Sequence, residues 1–115
     1  MSEEIIKKYN ELLSNNDKIL IVSKNGCPNC DKLKELFDTL ELNYGTYLYE
    51  MENDGEGEET PFKDYMKEQT RGTMFPFCYI NKKYVGTYTD IERMLCTGKL
   101  KEVLEEVGLD YEEDF

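Results

Sequence analysis

The sequence predicts an α/β sandwich in which a four-stranded mixed sheet is covered by helices on both faces. Three observations carry that expectation. Apolar residues recur at helical spacing in several separate stretches, the first being Ile5, Ile6, Tyr9, Leu12 and Leu13. Short branched or aromatic runs such as Ile19-Leu20-Ile21-Val22 stand between them. The resulting order, α-β-α-β-α-β-β-α-α, joins two strands by a helical crossover and two by a hairpin, so the sheet is mixed.

The first helix is expected over about residues 3–14, ended by the turn chemistry of Ser14-Asn15-Asn16-Asp17. Lys18–Ser23 has the composition of a central strand buried on both faces. Residues 28–41 carry an apolar stripe, Leu33, Leu36, Phe37 and Leu40, and form the second helix. Tyr44–Glu50 is the second strand, parallel to the first through a right-handed crossover. Glu52–Glu59, with two glycines and almost no apolar content, is a loop. Thr60-Pro61 supplies a cap and a first-turn proline for a helix with Phe62, Tyr65 and Met66, broken at Thr70-Arg71-Gly72-Thr73. Pro76–Asn81 and Tyr84–Thr87 form a hairpin across Asn81-Lys82-Lys83. Thr89 or Asp90 is expected to cap a short helix with Ile91, Met94 and Leu95. After Thr97-Gly98 a last helix carries Leu100, Val103, Leu104 and Val107 and stops at Gly108.

At 115 residues, with 39% hydrophobic residues, the chain suits one domain over 1–115 that needs no structural staples. The formal charge of −11 is unevenly placed, concentrated in an acidic insert at about 51–59 and an acidic tail at about 108–115. Such runs are expected to be solvated. No basic stripe offsets them, so nucleic acid is not an expected partner. Neither is a membrane, because no apolar run is long enough to span one. The first residues lack the apolar core of a secretory signal, and a cytoplasmic location is expected. In that compartment disulfides are mostly catalytic or transient. With no histidine in the chain, His-based acid/base chemistry and mixed Cys/His zinc sites are excluded.

Chemistry concentrates at Lys24-Asn25-Gly26-Cys27-Pro28-Asn29-Cys30. Strand, turn, Cys-x-x-Cys and helix follow one another, which sets two thiols at the positive end of a helix. Unpaired backbone N–H groups and the helix dipole favour a thiolate there. Pro28 at the first helical position fixes φ and sacrifices no hydrogen bond. A redox dithiol is the reading this combination favours. Half a zinc site, or two small buried residues, are its rivals, and Cys78 and Cys96 do not form a second Cys-x-x-Cys.

Four segments together resemble glutaredoxin, a thioredoxin-like family with a three-layer sandwich. They are Lys24-x-x-Cys27-Pro28-Asn29-Cys30, Thr73-Met74-Phe75-Pro76 with the strand Phe77–Ile80, Val85-Gly86-Thr87-Tyr88-Thr89-Asp90, and Leu95-x-x-Gly98-x-Leu100. Their order and spacing match the family over about residues 18–107. Asn29 stands where the family often has tyrosine, Met74-Phe75-Pro76 where it usually reads Thr-Val-Pro, and Gly86-Thr87 where it has Gly-Gly. Thioredoxin itself fits worse, since Trp-Cys-Gly-Pro-Cys is absent.

The resemblance implies a glutathione-dependent oxidoreductase acting on protein disulfides and glutathione mixed disulfides. Cys27 would be the nucleophile and Cys30 the resolving thiol, with glutathione as co-substrate and no bound metal. Lys24 and Arg71 would hold the glycyl carboxylate of glutathione. Pro76 would be cis, turning the Phe75 backbone towards the cysteinyl unit. Thr89 and Asp90 would grip the γ-glutamyl end. The expected partners are glutathione and oxidised or glutathionylated proteins, and the expected state is a monomer. The family also offers a second function, a [2Fe–2S] cluster shared between two chains on Cys27 and glutathione thiolates; Pro28, by stiffening the site, counts weakly against it. Cys78 is expected to be buried and inert, Cys96 to serve structure in preference to its alternative, a thiol open to oxidation or glutathionylation near a helix end, and Tyr44, Tyr47 and Tyr49 to pack the strand.

Overall fold

The computed structural model describes residues 3–49, 61–72 and 74–111. The acidic insert at about 51–59, the Thr60 cap, Thr73 and the acidic residues after Tyr111 lie outside the described residues. The elements run α1 (Glu3–Asn15), β1 (Ile19–Lys24), α2 (Pro28–Thr39), β2 (Gly45–Tyr49), α3 (Pro61–Thr70), β3 (Phe77–Ile80), β4 (Lys83–Gly86), α4 (Tyr88–Thr97) and α5 (Lys99–Glu105). The sheet order is β2-β1-β3-β4. β1 pairs β2 in parallel and β3 antiparallel, and β3 pairs β4 antiparallel. The expected order of elements and the mixed, helix-flanked sheet are therefore present. Among the described residues, no helix is long and apolar enough to cross a membrane.

Strand alternation splits the core in two. Leu20 and Val22 of β1 face α1 and α3, joining Tyr9, Leu13, Phe62, Met66, Phe77 and Tyr79. Ile19 and Ile21 face the opposite side and meet Leu33 and Phe37 of α2, Ile91 of α4, and Leu100 and Leu104 of α5. Burying side chains of this size stabilises by roughly 1.5–3 kcal/mol each, which is why β1, covered on both faces, reads as an unbroken apolar run.

Two local expectations change. The β3–β4 turn holds two residues rather than three: Asn81 and Lys82 have φ of 57° and 65°, and Lys83 already pairs with Ile80. Positive φ at both central positions belongs to the hairpin turn whose twist matches the strands; asparagine tolerates it, and lysine is an uncommon occupant. Helix α4 is capped by Thr87, not by Thr89 or Asp90. The Asp90 carboxylate reaches back to accept the Thr87 N–H at 2.9 Å, closing the first turn. The helix ends at Gly98, whose φ of 83° suits a left-handed cap.

Beyond α5 the chain returns to the core. Tyr111 is buried with the α2–α4–α5 cluster. Lys101 clasps this segment, pairing with Asp110 at 2.9 Å, donating to the Tyr111 carbonyl and lying over the Tyr111 ring.

Candidate active site

The sheet gathers several chain segments at one end. β1 finishes there at Lys24, and β2, parallel to it, finishes at Tyr49 directly opposite. β3 runs the other way and starts there, with Phe77 opposite Val22 and the Phe75-Pro76 segment just before it. β4 runs back and delivers the start of α4 to the same end, while the end of α3 leads into β3 from it. Lys24, Cys27, Cys30, Arg71, Phe75, Pro76, Thr89 and Asp90 thus all occupy the segments at this end of the sheet.

Between β1 and α2, Gly26 adopts φ 71°, which gives the chain its turn at no steric cost. Cys27 is then the N-cap of α2, in extended conformation, with Pro28 at the helix start. The Cys27 sulfur accepts the Cys30 N–H at 3.2 Å, as a capping oxygen would. That N–H and the helix dipole act on whichever charge the Cys27 sulfur carries, so a thiolate is favoured at this position. Cys27 and Cys30 form a disulfide with a Cα–Cα separation of 5.3 Å. The two sulfurs are unequally accessible: Cys27 is 9% exposed and Cys30 only 1%. An incoming thiol or disulfide meets Cys27 first.

The Phe75–Pro76 peptide bond is cis, as expected. The Phe75 ring is buried in the same cluster as both cysteines. It stacks on Tyr49 at 5.5 Å and meets Phe77 edge-on at 5.1 Å. The ammonium groups of Lys24 and Lys63 lie 5.4 and 5.7 Å from its centroid. Two cations therefore flank the Phe75 ring, in a chain whose net charge is strongly negative. Met74, next in line, is 58% exposed.

Arg71 is exposed, with φ of 63°, just past the end of α3. Its N–H donates to the Lys67 carbonyl, and the next N–H, of Gly72, donates to the Thr70 hydroxyl. Gly72 lies so close to Tyr84 and Phe77 that a Cβ there would collide with Tyr84. Thr89 is exposed in the first turn of α4. The Asp90 carboxylate is committed on one oxygen to Thr87, whose hydroxyl also donates to it at 3.4 Å, and its other oxygen lies 3.5 Å from Arg93. No described contact joins Arg71, Thr89 or Asp90 to the cysteines; what they share is the end of the sheet.

The other two cysteines stand apart. Cys78 is wholly buried in the middle of β3, opposite Ile21, and its burial pushes the thiol far above the ordinary range. Cys96 is exposed on α4, which favours the accessible thiol over the structural role expected first. Lys63 and Tyr49 had no place in the site read from the sequence. Their relation to Phe75 depends on strand register and on how α3 lies over the sheet, neither of which leaves a local motif.

The family model of glutaredoxin matches residues 19–85. Glutaredoxin-1 of Saccharomyces cerevisiae is 32% identical over 108 residues, covering 93% of this chain and 96% of that protein. The crystal structure of a buckwheat glutaredoxin–glutathione complex superposes with a TM-score of 0.74 at 26% identity, covering 96% of this chain and 99% of the other. Oxidised glutaredoxin 2 from Chlamydomonas reinhardtii gives a TM-score of 0.71 at 27% identity, covering 91% and 94%. Sequence, fold and the paired thiols at the head of α2 agree, and the chain belongs to the glutaredoxin family of thiol–disulfide oxidoreductases.

Proposed function

We propose that this chain uses glutathione to reduce glutathione mixed disulfides and protein disulfides. The observation that carries the reading is the asymmetric thiol pair: a Cys27 sulfur at the helix cap, hydrogen-bonded to a backbone N–H, in front of a fully buried Cys30. The Cys27 thiolate attacks the substrate sulfur, forms one S–S bond and expels the other sulfur as a thiolate. When the product is a Cys27–glutathione mixed disulfide, a second glutathione thiolate attacks its glutathione sulfur, releasing glutathione disulfide and the Cys27 thiolate. When it is a mixed disulfide with a protein, Cys30 attacks Cys27, releases the protein thiol and leaves the Cys27–Cys30 bond. Two glutathione molecules then restore the dithiol.

Glutathione, the ligand of the similar buckwheat protein, would lie along the end of the sheet. In this reading Lys24 and Arg71 take its glycyl carboxylate, and the backbone of Phe75, before the cis Pro76, takes its cysteinyl unit. Thr89 at the start of α4 receives the γ-glutamyl carboxylate, and Asp90 receives its ammonium. The protein acts as a monomer in the cytoplasm, where a reducing poise keeps the pair cycling. A coupled assay with glutathione, glutathione reductase and a small glutathione mixed disulfide tests the proposal. Turnover is expected for the native chain and its loss for Cys27→Ser; full activity in Cys27→Ser would refute it.

A further inference from the structure

Among the described residues, Glu41, Arg71, Asn81 and Lys82 have positive φ without being glycine. Asn81 and Lys82 make the hairpin turn and Glu41 follows α2, all at the far end of the sheet from the cysteines. Arg71, with φ of 63°, stands at the end that carries Cys27 and Cys30. A side chain in this region is strained where glycine is not.

The turn at Arg71 is built like the one at Gly98. In each, the threonine that ends the helix uses its hydroxyl twice. The Thr97 hydroxyl donates to the Met94 carbonyl at 3.3 Å and accepts the Lys99 N–H at 3.5 Å, spanning Gly98. The Thr70 hydroxyl donates to the Met66 carbonyl at 2.8 Å and accepts the Gly72 N–H at 3.0 Å, spanning Arg71. The tighter bracket therefore surrounds the residue that resists the conformation. The Arg71 N–H adds a third bond, to the Lys67 carbonyl at 2.6 Å. The far side of the turn is fixed as well. A Cβ on Gly72 would stand 2.5 Å from the Tyr84 hydroxyl and 3.1 Å from the Phe77 ring, so the backbone is pressed against both. Phe77 in turn meets Phe75, beside the cis Pro76, at 5.1 Å. A glycine at position 71 would take this turn without strain, as Gly98 does. An arginine held there so firmly calls for a task for its side chain.

We propose that Thr70 is a positioning residue for glutathione: its hydroxyl holds Arg71 left-handed, and that backbone directs the guanidinium to the glycyl carboxylate. Without the bracket Arg71 can fall back to the right-handed or extended conformations that side chains prefer, and its side chain then leaves the backbone in another direction. The inference rests on the reading in which Arg71 takes that carboxylate, and adds what keeps Arg71 in place to do so.

The test is steady-state kinetics at saturating glutathione with the mixed disulfide of glutathione and mercaptoethanol. The same substrate with its glycyl carboxylate converted to the amide is run beside it. Thr70→Val keeps the shape and removes the hydroxyl. It is expected to raise KM for the carboxylate substrate about fivefold, with kcat within about twofold of native. For the amide its KM should match that of the native chain, because the group that Arg71 holds is gone. Thr70→Ser, which retains the hydroxyl, should bring KM back to within about twofold of native. On an Arg71→Ala background Thr70→Val should add nothing. A native KM in Thr70→Val overturns the proposal. So does an equal rise for both substrates, which a loosened helix end alone would give. Arg71→Gly gives a reading that needs no change at Thr70: glycine takes the turn freely, so the urea midpoint should rise while KM rises as in Arg71→Ala. A lowered midpoint would mean that the turn needs no bracket, and the proposal would fall. A native KM in Arg71→Ala would instead refute the assignment of Arg71 to the carboxylate.

Discussion

Asp90 is assigned two tasks, and a pair of substitutions separates them. Its carboxylate accepts the Thr87 N–H at 2.9 Å, fastening the first turn of α4. In the proposed complex the same negative charge meets the γ-glutamyl ammonium. Asp90→Ala removes the hydrogen bond and the favourable charge at the helix start, a loss of about 1–2 kcal/mol in stability. Asp90→Asn keeps an acceptor for Thr87 and loses only the charge, about 0.3–1 kcal/mol. Both lose the partner of the ammonium. If that pair is worth about 1.4 kcal/mol, each variant raises KM for a small glutathionylated substrate about tenfold. Urea unfolding measures the first effect and steady-state kinetics the second. The decisive variant is Asp90→Asn: nearly native stability with a raised KM assigns the charge to the ligand. A native KM in Asp90→Asn would reduce Asp90 to a helix cap and remove it from the binding site.

Gly86→Ala should reproduce part of the Asp90→Ala phenotype, because Gly86 has φ of 126° and an added Cβ would meet the Asp90 side chain; urea unfolding should show a cost of about 1–3 kcal/mol for the backbone alone. Cys30→Ser should retain turnover of glutathione mixed disulfides and lose most reduction of protein disulfides, measured side by side with one substrate of each kind. Stability should fall as pH rises past about 9, because Cys78 ionises at its ordinary value when unfolded and far above it when folded. Its share approaches about 1.4 kcal/mol per pH unit and should vanish in Cys78→Ala, as followed by urea unfolding at pH 8 and 10. Native-state alkylation with iodoacetamide followed by mass spectrometry should modify Cys96, which is exposed, and spare Cys78.

Much of this architecture was legible because it is periodic. The α1 and α2 stripes and the branched run of β1 each advertise the face they bury, and the strand–helix order around Cys27-Pro28-Asn29-Cys30 follows directly. The cap of α4 was harder, since Thr87, Thr89 and Asp90 all offer capping oxygens within four residues. The arrangement chosen uses Thr87 with Asp90 three residues on, the spacing at which two side chains can serve each other's backbone. The short β3–β4 turn was hidden by Lys82, which has no preference for positive φ and is held there by the pairing of the flanking strands. Lys63 beside Phe75 has no sequence signature at all, being a property of registration between layers.

The clasp of Lys101 over Asp110 and Tyr111 separates the end of the helices from the end of the core. Helix α5 stops at Glu105, yet Tyr111 fills part of the hydrophobic layer beneath it. A shortened chain trimmed to its last helix would therefore strip Tyr111 from that layer, along with Val107 and Leu109, which pack against it. For anyone splitting, fusing or shuffling this protein, the stretch to keep runs at least six residues beyond the last helix.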